Sequence, residues 1–155
     1  MNLPENRNQN APIDTAQTRA FGVAASGIAI DPGQIGKLSP IALAYIGDAV
    51  FELYVRTRFL MPPKRMADYH SQVVTQVRAE RQAIHLATLL PYLSESEKET
   101  LRRGRNACLA KPRRISRHIY KQATGLETLI GYLHLSDPQR LLQLLARLDL
   151  DSTGK

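Results

Sequence analysis

The amino-acid sequence predicts an all-α protein built as a helical bundle. Helix start signals recur along the chain, and between them apolar residues repeat at near-helical spacing. No segment shows the alternation of apolar and polar residues that marks a strand. A length of 155 residues is enough for a single domain with one sizeable core.

The chain divides into one predicted folded domain and two tails. Residues 1–36 are rich in Asn, Gln, Ala, Gly and Pro without a clear period, which predicts a disordered N-terminal tail. Residues 37–150 form the predicted domain, and residues 151–155 a C-terminal tail. Its first helix begins at the Ser39 cap, with Pro40 in the first helical position, and runs to about Leu60, where Met61-Pro62-Pro63 stops it.

Four further helices follow in order. Apolar residues at near-helical spacing predict a second helix from about Arg65 to Leu89. A capping box at Ser94–Glu97 opens a third, and Gly104 is expected near its end, so that the stretch from Arg102 to Lys111 is a helix terminus and loop. The fourth runs from about Ser116 to Leu135. A last amphipathic helix is capped by Asp137 and reaches about Leu148.

Two carboxylates lie in otherwise apolar helical segments. Asp48 follows Gly47 in the first helix, and Glu127 occupies a similar Gly-containing run in the fourth. Gly in a helix interior costs about 1 kcal/mol relative to Ala, so Gly47 predicts that something approaches the backbone beside Asp48. If the two helices pack together, the acids form a natural site for Mg²⁺ or Mn²⁺. The alternative is that each is a partly buried acid paired to Arg or Lys.

Positive charge is concentrated in one segment. The net charge is +7, yet no acid occurs between Thr100 and Leu126. Eight cations lie there: Arg102, Arg103, Arg105, Lys111, Arg113, Arg114, Arg117 and Lys121. A local basic face favours a polyanion partner, most plausibly nucleic acid, over a merely solvated surface.

Other features favour a soluble cytoplasmic protein. Cys108 is the single cysteine, so no intrachain disulfide can form, and a small buried thiol is favoured over a catalytic one. The four histidines lack zinc-ligand spacing. No secretory signal is visible, and no apolar run approaches the roughly 20 residues of a membrane span, so no membrane partner is expected.

The ordered motifs resemble the ribonuclease III family. Tyr45–Glu52 resembles the signature helix of its catalytic domain, and Leu126–Leu133 resembles its second acidic helix. His70 with the helix through Val77–Ala83, the Arg102–Ala107 segment and Tyr120–Glu127 are more similar to the Mini-ribonuclease III branch. The resemblance extends from about Leu38 to Leu145.

This resemblance implies a ribonuclease III-type endonuclease domain: a homodimeric, Mg²⁺-dependent phosphodiester hydrolase that cuts double-stranded RNA, with Mn²⁺ as a possible substitute. Asp48 and Glu127 would be the catalytic and metal-binding residues. Ala44 and Thr124 replace two further acids of the larger family. Tyr45 stands where the family carries an aromatic at the dimer interface.

The Mini branch lacks the double-stranded-RNA-binding domain, for which the chain leaves no room, so the basic segment is expected to contact RNA. The expected RNA-binding residues are Arg102, Arg103, Arg105, Asn106, Lys111, Arg113, Arg114 and Lys121. Mini-branch relatives trim precursors of large-subunit ribosomal RNA, which makes such a precursor the expected substrate.

Two other functions compete with RNA hydrolysis. A catalytically inactive double-stranded RNA-binding protein could keep the fold and the basic segment. Two retained helix-borne acids argue against it, because acids repel RNA unless a cation lies between them. A helical DNA-binding protein is a weaker alternative, since no helix-turn-helix pattern accompanies the basic segment.

Overall fold

The computed structural model describes residues 30–108 and 114–151. Within these ranges the regular structure is entirely helical, as predicted. The helices are α1 (Pro32–Ile35), α2 (Pro40–Phe59), α3 (Met66–Val77), α4 (Ala79–Leu89), α5 (Glu95–Ala107), α6 (Arg117–Ser136) and α7 (Pro138–Leu145), with a 3₁₀ turn at Leu90–Tyr92.

Helix α6 is the centre of the bundle. It packs against α1, α2, α4, α5 and α7. The apolar core lies around it and includes Phe51, Val55, Leu86, Leu89, Leu126, Leu129, Ile130, Leu141 and Leu144. Because α6 carries Glu127, the core fixes the helix that positions one of the two predicted site acids.

The predicted caps are confirmed. The hydroxyl oxygen of Ser39 accepts a hydrogen bond from the Ala42 N–H, and Ser94 forms a complete capping box with Glu97. The Asp137 side chain accepts from the N–H of Arg140 at the start of α7. These side chains satisfy backbone donors that a helix cannot pair internally, which is why local sequence predicts the starts well.

Two predicted helix boundaries are wrong, and a third is confirmed. The helix predicted from Arg65 to Leu89 breaks at Arg78, whose ψ of 153° is extended, so α3 and α4 are separate. Helix α5 ends at Ala107, so Gly104 lies near its end, as predicted. Gly104 permits close packing there, because a Cβ on it would lie 2.3 Å from Thr128 Oγ1 of α6. Helix α7 ends at Leu145 rather than near Leu148.

The structure describes only the end of the predicted N-terminal tail. Helix α1 lies within that segment, and Ile35 is buried against the bundle. Residues 1–29 and 152–155, which carry the rest of both predicted tails, lie outside the described residues. Of the helices described, none combines the length and the apolar character needed to cross a membrane.

Candidate active site

The backbones of α2 and α6 meet directly where they cross. A Cβ on Gly47 would lie 1.7 Å from the carbonyl oxygen of Glu127, and a Cβ on Gly131 would lie 1.9 Å from the carbonyl oxygen of Leu43. No side chain can occupy either position without moving the helices apart. The prediction from Gly47 is confirmed, and the group that approaches its backbone is the second acidic helix.

This crossing brings the carboxylates of Asp48 and Glu127 close enough to repel each other. Burial raises the pKa of Glu127 to about 7, and the negative charge of Asp48 adds to the shift. Burial also raises the pKa of Asp48, with a further contribution from the charge of Glu52. An acid whose ionisation is disfavoured by burial and by a neighbouring carboxylate is typical of a functional centre.

Neither acid has a cationic partner among the described residues. The alternative that each is a partly buried acid paired to Arg or Lys is therefore wrong for the part of the chain described. Glu52, one turn after Asp48, behaves differently, because its Oε1 accepts a hydrogen bond from Arg56 Nη2 at 2.6 Å. It is a surface ion-pairing acid.

The acid pair suits a hard divalent cation. Both donors are carboxylate oxygens, which Mg²⁺ and Mn²⁺ prefer, and a cation would relieve the repulsion between them. Within residues 30–108 and 114–151 there is no group of three or more His, Cys, Asp or Glu side chains able to hold a metal. The carboxylates found together in this region are thus the pair of Asp48 and Glu127.

The replacements of the larger family's other acids are buried. Ala44 lies in the α2 face that packs on α6, and Thr124 lies one turn before Glu127. The Thr124 hydroxyl donates to Cys108 Sγ at 3.8 Å, and Cys108 is half-buried at the end of α5. A carboxylate at either position would meet packed surroundings, so small neutral side chains fit the observed helix contacts.

Gln82 is a site residue that the sequence did not reveal. It lies on α4, and its Nε2 donates a hydrogen bond to Glu127 Oε1 at 3.1 Å. The same nitrogen donates to the Val77 carbonyl oxygen at 2.9 Å. A Gln in an amphipathic helix gives no sequence signal for such a contact, because its partner is far along the chain.

A second buried amide, that of Gln76, lies near the junction of α3 and α4. Gln76 Nε2 donates to the Leu150 carbonyl oxygen at 2.8 Å. Its Oε1 lies 3.0 Å from His85 Nε2 and accepts a hydrogen bond from Arg81 Nε at 3.2 Å. Burial lowers the pKa of His85 to about 4, with the charge of Arg81 contributing, so the imidazole is neutral near pH 7. This cluster ties the α3–α4 junction to the C-terminal segment.

The predicted RNA-binding residues have different environments. Arg102, Arg103 and Arg105 lie in the last turns of helix α5, so they belong to the predicted helix terminus and not to a loop. Arg103 and Asn106 are exposed, as is Arg114 ahead of α6, whereas Arg105 and Lys121 are half-buried. Lys111 and Arg113 lie outside the described residues.

Two of these arginines have partners within the fold. Glu99, one turn before Arg102, binds its guanidinium through contacts of 2.6 and 2.8 Å. This hydrogen bonding lowers the pKa of Glu99, and the charges of Arg102 and Arg103 contribute. Arg105 packs along α6, since a Cβ on Gly125 would lie 2.7 Å from Arg105 Cγ. The basic face is thus partly neutralised at Arg102.

Tyr45 lies on an exposed apolar stripe of α2. Its exposed fraction is 83%, and Ile41 and Leu53, one turn before it and two turns after it, are also exposed. The alternative that Tyr45 is an ordinary core aromatic is therefore wrong for the single chain. Large apolar side chains that line one helix face in this way mark a surface suited to another molecule.

Comparisons with known proteins agree with this architecture. The family model of the Ribonuclease III domain matches residues 41–138. The Mini-ribonuclease 3 of Synechocystis sp. is 57% identical over 120 residues, which cover 77% of this chain and 84% of that protein. The Mini-ribonuclease 3 of Gloeobacter violaceus is 51% identical over 112 residues, covering 72% and 83%.

A solved structure shows the same fold. The crystal structure of a Fusobacterium nucleatum protein superposes with a TM-score of 0.66 at 28% identity, covering 70% of this chain and 90% of that one. The helical bundle is therefore a ribonuclease III-type endonuclease domain, the class of fold that the sequence predicted. The chain belongs to the ribonuclease III family, in its Mini-ribonuclease III branch.

Proposed function

We propose that this protein is a divalent-metal-dependent endoribonuclease that cleaves double-stranded RNA. The observation that carries the proposal is the crossing of α2 and α6 at Gly47, which brings Asp48 and Glu127 together without a cationic partner among the described residues. Membership of the ribonuclease III family supports the reaction class.

Asp48 and Glu127 would hold the ion, with Mg²⁺ as the expected metal and Mn²⁺ as a substitute. When bound, the ion would activate a water molecule and neutralise charge that develops on the scissile phosphate. Asp48 supplies a carboxylate from the more exposed side of the crossing, and Glu127 supplies one from the half-buried side. Their fixed helices set the separation of the two ligands.

The basic face would position the duplex. Of the described candidates, Arg103, Arg105, Asn106, Arg114 and Lys121 are the proposed RNA contacts. Arg102 can join them only by exchanging Glu99 for a phosphate, so it is expected to contribute less. The proposed contacts of Lys111 and Arg113 lie outside the described residues. Phosphate contacts and A-form shape make the expected sequence preference weak.

A homodimer would place two active sites on one duplex. Two cuts on opposite strands call for two centres related by a two-fold axis, and a two-fold interface uses the same surface on both copies. The exposed stripe of Ile41, Tyr45 and Leu53 supports α2 as that surface, since it is apolar and lies on the helix that carries Asp48.

We further propose that the substrate is a precursor of large-subunit ribosomal RNA in the cytoplasm. The resemblance to the Mini-ribonuclease III branch supports this choice, because it implies a substrate of this kind. A matched pair of precursor RNAs, one with its duplex intact and one with the pairing disrupted, tests it directly. Cleavage of the intact precursor alone is expected.

The decisive experiment compares activity and binding in one variant. Wild-type protein should cut long duplex RNA with Mg²⁺, remain inactive in chelator, and leave duplex DNA of the same sequence intact. Asp48→Asn should bind the duplex but not cut it, because the nearly isosteric amide lacks the charge that holds the cation. RNA binding without cutting by the wild type would favour the inactive-binder alternative.

A further inference from the structure

The Glu127 carboxylate is held from one side by a single buried amide. Gln82 is 2% exposed, and its Nε2 spans Glu127 Oε1 at 3.1 Å and the Val77 carbonyl oxygen at 2.9 Å. A side-chain amide nitrogen carries two hydrogens, so these contacts use its full donor capacity. The Gln82 amide therefore links the Val77 carbonyl to the Glu127 carboxylate through two hydrogen bonds.

The break between α3 and α4 makes this bridge possible. Helix α3 ends at Val77, and Arg78 adopts an extended ψ of 153°. The backbone N–H groups of Arg81 and Gln82 both bond the Arg78 carbonyl oxygen. The Val77 carbonyl is thus left to accept from the Gln82 side chain, which anchors the amide beside α6.

Burial of the Gln82 amide has a free-energy cost that an apolar side chain at the same position would avoid. Gln82 Oε1 is buried and has no hydrogen-bond partner among the described residues. Leaving a buried acceptor unsatisfied costs about 1–3 kcal/mol, whereas an apolar side chain of similar size would carry no such penalty. The benefit of Gln at this position lies in its two donated hydrogen bonds, and one of them ends on a site acid.

We propose that Gln82 is a positioning residue that fixes one oxygen of Glu127 and leaves the other free to bind a divalent cation. Within the described residues, Glu127 Oε2 has no hydrogen-bond partner, while Oε1 is taken by Gln82. Groups that orient a metal ligand in this way tune metal affinity without touching the metal. This inference rests on the proposed function, because it assumes that Glu127 holds the ion.

The test compares Gln82→Met with Gln76→Met. Both glutamines are almost fully buried, and both donate to a backbone carbonyl, but among the described residues Gln76 bonds Leu150 and makes no hydrogen bond to Glu127. In Gln82→Met we expect Mn²⁺ affinity of the RNA-free protein to fall about 10-fold or more, the usual effect of losing such a partner. On duplex RNA, kcat should fall with KM little changed. Gln76→Met should lower the melting temperature while leaving Mn²⁺ affinity near that of the wild type.

Three outcomes would overturn the inference. If the wild type binds Mn²⁺ and cuts RNA, and Gln82→Met does both equally well, the positioning role of Gln82 is refuted while the proposed function stands. Equal loss of Mn²⁺ affinity in both variants would assign Gln82 to packing. A wild type that neither binds Mn²⁺ nor cuts duplex RNA would instead refute the proposed function and, with it, this role.

A measurement on the wild type covers the case in which a variant does not fold. In ¹⁵N-labelled protein, Mg²⁺ should shift the side-chain amide resonances of Gln82 but not those of Gln76. If Mg²⁺ moves the backbone amide of Asp48 and leaves the Gln82 side chain unmoved, the positioning role is wrong.

Discussion

Glu127→Gln is expected to stabilise the metal-free protein by an amount that grows between pH 4.5 and about 7 and is then constant. The native-state pKa of Glu127 is raised from 4.5 to about 7 by burial and by Asp48. Between those pH values the native state keeps a proton that the unfolded chain has released. The contribution of Glu127 to stability is therefore fully present below pH 4.5, decreases as the pH rises toward about 7, and is lost above it, where Glu127 must ionise beside Asp48.

The size of this effect follows from the shift. One pKa unit corresponds to 1.36 kcal/mol, so ionising Glu127 in the folded protein costs about 3 kcal/mol above pH 7. Gln is nearly isosteric with the protonated acid and can still accept from Gln82 Nε2. Since domains of this kind are stable by roughly 5–15 kcal/mol, the variant should gain a measurable fraction of the total.

Urea denaturation in chelator provides the measurement. The free energy of unfolding of Glu127→Gln should match the wild type near pH 4 and exceed it by about 3 kcal/mol near pH 8. Glu52→Gln is the matched control on α2, since it loses an exposed ion pair with Arg56 worth about 0–1 kcal/mol. Mg²⁺ should then stabilise the wild type but not Glu127→Gln. If the difference in unfolding free energy between the wild type and Glu127→Gln is the same at both pH values, ionisation of Glu127 does not destabilise the folded protein.

Three further changes test the crossing, the basic face and the apolar stripe. Gly47→Ala should lower the melting temperature and reduce the free energy of unfolding by about 1–3 kcal/mol or more, because its Cβ would overlap the Glu127 carbonyl oxygen. Gly36→Ala, with no atom within 4 Å of the added Cβ, should leave the melting temperature unchanged. Equal melting temperatures of the two variants would contradict the crossing. Arg103→Gln should weaken binding to all duplexes alike and flatten the log–log salt dependence by about 0.9 per lost phosphate contact on the DNA-calibrated scale; an unchanged slope would place Arg103 away from RNA. Tyr45→Ala should leave the stability of the isolated chain unchanged, because the ring is 83% exposed. The same variant should sediment more as a monomer than the wild type does. A wild-type monomer at micromolar concentration that still makes paired cuts would refute the dimer.

The sequence predicted the parts of this structure that depend on local chemistry. The starts of α2, α5 and α7 follow from Ser39, Ser94 and Asp137, because each cap bonds the backbone a few residues away. The approach of α6 to α2 was also predictable from Gly47, since an unfavourable residue inside a helix needs a compensating contact. Both inferences use interactions that leave a mark on composition or spacing.

The features that the sequence missed depend on contacts between distant or separately counted residues. Gln82 bonds an acid 45 positions away, and nothing about an isolated Gln in a helix reveals this. Arg102 was counted as an unpaired cation because the acid-free segment begins after Thr100, yet helix geometry places Glu99 beside it. Gly104 lies near the end of α5, as predicted, but the sequence did not reveal its close packing against Thr128 of α6.

Gly47 and Gly131 allow α2 and α6 to pack closely, and this close packing also produces the repulsion between the Asp48 and Glu127 carboxylates. With Gly47 and Gly131 at the crossing, α2 and α6 approach until backbone meets backbone, and the exposed Asp48 then lies near enough to the half-buried Glu127 to disfavour its ionisation. The separation of the acids cannot relax independently, because α6 is held on its other sides by α4, α5 and α7. A ligand that binds only the folded state stabilises it, so a divalent cation placed between these acids would contribute to folding as well as to catalysis. Stability that rises with Mg²⁺ in the wild type and is lost on replacing either acid is the expected consequence of a site whose geometry is set by its backbone.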